Sequence, residues 1–81
     1  MNYMQFEDLP DFLQDYIRDL VGDNAPDWVR QAIPALDGRS FLQLLNQEGI
    51  VPSAKYLTAV GTKFGLPHGV TIPNDFMRED A

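Results

Sequence analysis

The chain has 81 residues, a net charge of −6, 44% apolar residues and no cysteine. Five Phe, three Tyr and one Trp are enough for one small hydrophobic core and too many for a disordered chain. Without thiols, disulfides, zinc–thiolate and iron–sulfur sites and cysteine nucleophiles are excluded.

No stretch approaches the roughly eighteen consecutive apolar residues of a membrane span, and Glu7, Asp8 and Asp11 stand where a secretory leader carries basic residues. The expectation is a soluble, cytoplasmic protein. Its negative charge is uneven: residues 1–29 carry −6, residues 30–64 carry +2, and the remainder −2. Such a field repels phosphates and anionic lipid and attracts basic surfaces. Direct nucleic-acid and membrane binding are therefore disfavoured.

Along the chain, Tyr3, Met4 and Phe6 form an arm that either packs on the body or offers a sticky contact. The phrase Asp8-Leu9-Pro10-Asp11-Phe12-Leu13 is then echoed sixteen residues later by Asn24-Ala25-Pro26-Asp27-Trp28-Val29. Each copy reads as polar cap, small or apolar residue, proline, aspartate, aromatic and aliphatic. Proline is tolerated in a first helical turn, and an aspartate there meets free N–H groups and the positive helix end. Two helix starts are predicted.

The first helix is expected over 9–21, where Leu9, Phe12, Leu13, Tyr16, Ile17, Leu20 and Val21 recur at three-and-four spacing and Gly22 supplies a stop. Asp11, Asp15 and Asp19 fall on its flank. The second is expected over 25–33 and ends before Pro34. Ser40 with Gln43 has the spacing of a capping box and opens a third helix, closed by Gly49 with Ile50 folding back. Ser53 is read as the cap of a fourth over 54–64, with Gly61 inside it for a close helix approach and Gly65 as its stop. The tail carries the extended-prone run Val70-Thr71-Ile72-Pro73. Asn74 could then cap a last turn bearing Phe76 and Met77, with docking on the bundle favoured.

The expected fold is therefore all-α: a single-domain bundle of four short helices plus a C-terminal tail. Residues 1–7 form the arm, 8–66 the helical core and 67–81 the tail. Phe12, Leu13, Tyr16, Ile17, Leu20, Trp28, Val29, Phe41, Leu44, Leu45, Leu57, Val60 and Phe64 are the expected core.

Reactive constellations are missing from this pattern. His68, the sole histidine, sits in a Pro67-His68-Gly69 turn. Pairs drawn from Asp11, Asp15 and Asp19 lack the cleft that acid–base work requires. Ser40 and Ser53 are accounted for as caps, and the glycines as stops and turns rather than phosphate loops. No catalytic, cofactor or metal residue is assigned, and the chain is read as a non-enzyme.

The stretch Asp37-Gly38-Arg39-Ser40-Phe41-Leu42-Gln43-Leu44, followed by Gly49-Ile50 and a closing helix, resembles the central part of sterile-alpha-motif domains over about thirty residues. Its Asp37-Gly38 to Gly49-Ile50 distance is several residues shorter than that family's pattern, and the first helices depart from it. The resemblance implies a helical bundle that mediates protein association.

The functional expectation is a non-catalytic protein-binding module: an acidic adaptor, regulator or inhibitor whose partner has a basic surface. Asp11, Asp15 and Asp19 with Trp28 are the first candidate contacts, Phe76 and Met77 the second. Two alternatives accompany it: an acidic nucleic-acid mimic that occupies a DNA- or RNA-binding protein, and a structural or assembly subunit of a phage particle or larger complex. Self-association is left open.

Overall fold

The apolar spacing resolves into helices in the computed structural model, which describes residues 3–73. These are α1 (Asp11–Val21), α2 (Ala25–Trp28), α3 (Phe41–Glu48) and α4 (Ile50–Lys63), with 3-10 turns at Phe6–Asp8, Gly22–Asn24 and Pro34–Leu36. Only α2 is a single turn. The described residues form a small all-α bundle with a C-terminal extension and contain no β-structure.

The echoed phrase gives the same burial pattern twice. Leu9 and Ala25 are buried, Asp11 and Asp27 exposed, Phe12 and Trp28 half-buried, and Leu13 and Val29 fully buried. The caps differ from expectation. Pro10, not Asp8, is the N-cap of α1, and its carbonyl accepts from Leu13 and Gln14 at 3.0 and 3.1 Å. Asp8 instead accepts the Met4 N–H at 3.1 Å. Asn24 does precede α2 but makes no side-chain cap.

The second helix stops at Trp28 rather than Ile33: Arg30 and Gln31 N–H shift to i−3 bonds with Asp27 O and Trp28 O at 3.1 and 3.2 Å, and tertiary hydrogen bonds hold the chain beyond them out of the helix. Continuing it would require Ile33 N–H to reach the Val29 carbonyl. That carbonyl accepts from Leu42 N–H at 3.1 Å, and Ile33 N–H donates to Arg39 O at 3.0 Å. The entrance to α3 thus takes both groups, and satisfies one of that helix's own orphan donors. The capping box is present in full: Ser40 Oγ accepts from Gln43 N–H (3.1 Å), and Gln43 Oε1 accepts from Ser40 N–H (2.8 Å).

One residue, Gly49 at φ +92°, separates α3 from α4. Ile50 therefore begins the fourth helix instead of folding back on the third. Pro52 sits in its first turn, where a missing N–H costs nothing. Ser53 is consequently not a cap; fully buried, it donates Oγ–H to the Gly49 carbonyl at 2.7 Å. The back-folded end occurs at the other terminus. Gly65 (φ +89°) turns the chain so that Leu66 N–H reaches Gly61 O at 2.9 Å and Gly65 N–H reaches Thr62 O at 3.2 Å, the Schellman arrangement. Leu66 thereby takes the inward place expected of Phe64, which is 64% exposed.

Leu13, Ile17, Val29, Phe41 and Leu57 form the fully buried centre. The N-terminal arm is part of it. Phe6 is 1% exposed, with the Arg18 guanidinium 5.0 Å from its ring. The Asn46 amide grips the Tyr3 backbone through two hydrogen bonds of 2.7 and 3.0 Å. Gly61 is buried where a Cβ would collide with the Tyr16 hydroxyl, so α1 and α4 approach closely there.

Beyond Leu66 the chain runs back across α1 and α4. Tyr16 donates its hydroxyl to His68 O at 2.9 Å. Thr58 Oγ1 accepts from Val70 N–H and donates to Ala54 O, each at 3.0 Å. Val70 and Ile72 pack against the core cluster. The expected turn after Asn74, with Phe76 and Met77, lies outside the described residues.

Candidate functional site

Because Leu13, Tyr16, Ile17 and Leu20 turn one side of α1 inward, the four-residue spacing of Asp11, Asp15 and Asp19 lines them along the opposite flank. All three are exposed. Among the described residues a single ion pair touches the row, Asp15 to Arg18 at 3.9 Å, between side chains 78% and 56% exposed. Such a contact is worth little, so the carboxylates are not committed to holding the fold together.

The row forms the rim of two shallow grooves. Leu9, Pro10, Asp11, Phe12, Asp15 and Pro73 line one. The other runs from Phe12 and Asp15 past Tyr16 and Asp19 to residues 68–71. Phe12 and Asp15 are common to both. The segment after Leu66 is therefore the far wall of the candidate surface, with Phe12 between the two grooves.

Tyr16 anchors that wall. Burial, and then the nearby Asp19 carboxylate, push its phenol above the ordinary 10.0. Its hydroxyl is engaged with the His68 carbonyl, so the group acts as a structural tie. His68 itself is exposed, with its ring edge-on to Tyr16 at a centroid distance of 5.7 Å. Among the described residues no three His, Cys, Asp or Glu side chains converge as a metal-holding group. The aspartates stand on the open flank of α1, at the rim of the two grooves.

Trp28 belongs to a different neighbourhood. It is half-buried and packs on Phe41, with ring centroids 5.9 Å apart and planes inclined at 34°. It lines neither groove beside the aspartates. Phe76 and Met77 lie outside the described residues. The structure thus unites Asp11, Asp15 and Asp19 but leaves Trp28 with the core.

Sequence reasoning placed Phe12 wholly in the core and missed residues 68–73 as a groove wall. The alternation of Val70 and Ile72 with Thr71 and Pro73 was the available signal. It also missed a third, apolar groove across the same segment, lined by Val51, Ala54, Lys55, Thr58, Val70 and Ile72.

Arg39 is likewise drawn into the framework. Its Nε donates to Leu36 O at 3.0 Å, and its guanidinium meets Gln47 at 2.9 Å and Glu48 at 3.7 Å. Arg30, Lys55 and Lys63 remain as exposed cations.

No protein-family model, curated protein or solved structure matches this chain. The resemblance to sterile-alpha-motif domains accordingly assigns no residue a role.

Proposed function

We propose that this protein is a non-catalytic protein-interaction module, working as a small acidic adaptor, regulator or inhibitor, and that the flank of α1 docks a partner with a basic surface. The observation that carries the reading is the exposed row Asp11, Asp15 and Asp19 beside the grooves that meet at Phe12. Carboxylates on such a rim accelerate encounter with a basic surface and set its register. Like charges four apart on a helix cost a few tenths of a kcal/mol each, roughly. The row therefore opposes helix stability slightly, which favours a role outside folding.

Affinity capture from the source cell lysate tests this, using wild type beside an Asp11→Asn, Asp15→Asn, Asp19→Asn triple variant of equal helical content. A basic protein retained by wild type and lost by the variant is the expected result. Equal retention would reduce the row to a solubilising device.

A further inference from the structure

His68 is the sole histidine of the chain, and the structure fixes its backbone against the acidic side of α1. Its carbonyl accepts the Tyr16 hydroxyl at 2.9 Å, and its ring stands edge-on to the Tyr16 ring at 5.7 Å. The residues that follow are held from α4. Gly69 lies so close to Thr58 that a Cβ would collide with its side chain, and Val70 N–H donates to Thr58 Oγ1 at 3.0 Å. Residues 68–70 are thus pinned between two helices, and an exposed imidazole is kept beside α1.

What it faces there is charged. The groove that His68 lines also contains Asp15 and Asp19. Asp19 is near enough to the Tyr16 hydroxyl to help raise its pKa, and that hydroxyl is the one bonded to His68. No lysine or arginine lines this groove. The cation of α1, Arg18, is engaged with Asp15 and with the Phe6 ring. From α4 the segment meets the uncharged Thr58, while Lys55 lines the groove on its other side and Lys63 lines neither. Histidine is the side chain whose ordinary titration falls between about pH 5 and 8, where carboxylates stay ionised. One cation held opposite two exposed carboxylates alters the local field by about as much as an exposed ion pair, a small effect that affinity still reports.

We propose that His68 is a pH-operated charge switch on the α1 flank. Its imidazolium offsets Asp15 and Asp19 at low pH, and its neutral ring leaves them uncompensated at higher pH. A basic partner is therefore held more tightly above the histidine transition than below it. That consequence rests on the flank being a docking face; the coupling between His68 and the two carboxylates does not.

The test has two readouts on the full chain. The first is the side-chain carboxyl carbon resonances of Asp15 and Asp19, followed by NMR from about pH 5 to about pH 8. At least one of them should show an inflection coincident with the His68 ring, absent in His68→Gln. The second is titration with N-acetylated hexalysine at the two ends of that range, read from the amide shifts of Asp11, Asp15 and Asp19. Wild type should bind about two- to fivefold more tightly at the upper end. His68→Gln should bind tightly at both ends and His68→Lys weakly at both; the position is exposed, so each variant should keep its helical content. Absence of the inflection would overturn the proposal, as would a pH dependence of hexalysine binding that survives in His68→Gln. An inflection without any hexalysine binding would uphold the charge coupling and sink the docking reading instead.

Discussion

α1 and α4 meet where Tyr16 covers Gly61 and are tied by the same returning segment, through Tyr16 to His68 and through Thr58 to Val70. Their outward faces nevertheless have opposite chemistry. α1 presents three aspartates, while α4 presents lysines, threonines and small residues without a single carboxylate. Inward, the two are much alike: Leu13 and Ile17 on one and Leu57 on the other are wholly buried. The inward faces account for the fold, and the difference between the outward faces is what an account of function must explain. Residues 68–73 lie along the seam, so a single short segment helps to shape both surfaces.

Removing the shared support should have the largest effect. Ile17→Ala and Leu57→Ala each empty a fully buried position and should cost about 2–5 kcal/mol in urea unfolding. Each should also weaken capture of a partner at the α1 flank. Capture undiminished by either change would mean that the flank does not depend on this shared core.

Gly61→Ala should come next. The substitution favours the helix by about 1 kcal/mol, but the new methyl meets the Tyr16 hydroxyl and Leu66. A net loss of about 1–3 kcal/mol is expected. Adding Tyr16→Phe should recover part of it, since the hydroxyl is the nearest obstacle. Stabilisation by the alanine alone would show that the two helices are less closely packed than described.

Tyr16→Phe by itself removes the bond to His68 O and should cost about 1 kcal/mol at neutral pH. It also has a pH signature. The folded chain holds the phenolic proton above 10.0 because the group is buried and faces Asp19. The unfolded chain releases it near 10.0, so this contribution is complete below that pH and declines as pH rises past it. Tyr56, raised by burial, acts in the same direction. Stability measured from pH 9 upward should therefore fall less steeply in the Phe variant than in wild type, while retaining the share due to Tyr56.

Least affected should be the stability of the triple Asp11, Asp15, Asp19 to Asn variant. Its unfolding free energy should lie within about 0.5 kcal/mol of wild type, because the row is exposed and, among the described residues, Asp15 alone of the three has an ion pair. A large loss would identify these carboxylates as structural and remove the reason to treat them as a docking face.

Local signals carried most of the architecture. Helical periodicity placed the bulk of α1, and the Ser40–Gln43 pair located the start of α3 because a capping box involves only neighbouring residues. Gly61 marked a close approach, though its partner Tyr16 lies in another helix. The errors arose where distant backbone groups decided the outcome. Val29 O and Ile33 N–H are taken by Leu42 and Arg39, which ends the second helix early. Gly49 serves both α3 and α4, which turned an apparent Ser53 cap into a buried helical residue. Of the candidate site, the aspartate row was legible from its spacing alone. The grooves were not, since each needs residues more than fifty positions apart in sequence, such as Phe12 and Val70, to form one surface.

The most direct measurement sets the two faces against each other in one capture experiment with wild type, the triple Asp-to-Asn variant and Lys55→Glu, all matched for helical content. A basic partner bound by wild type and by Lys55→Glu, but lost by the triple variant, is the predicted result. The same partner retained in full by the triple variant would contradict the assignment of the α1 flank as its docking surface.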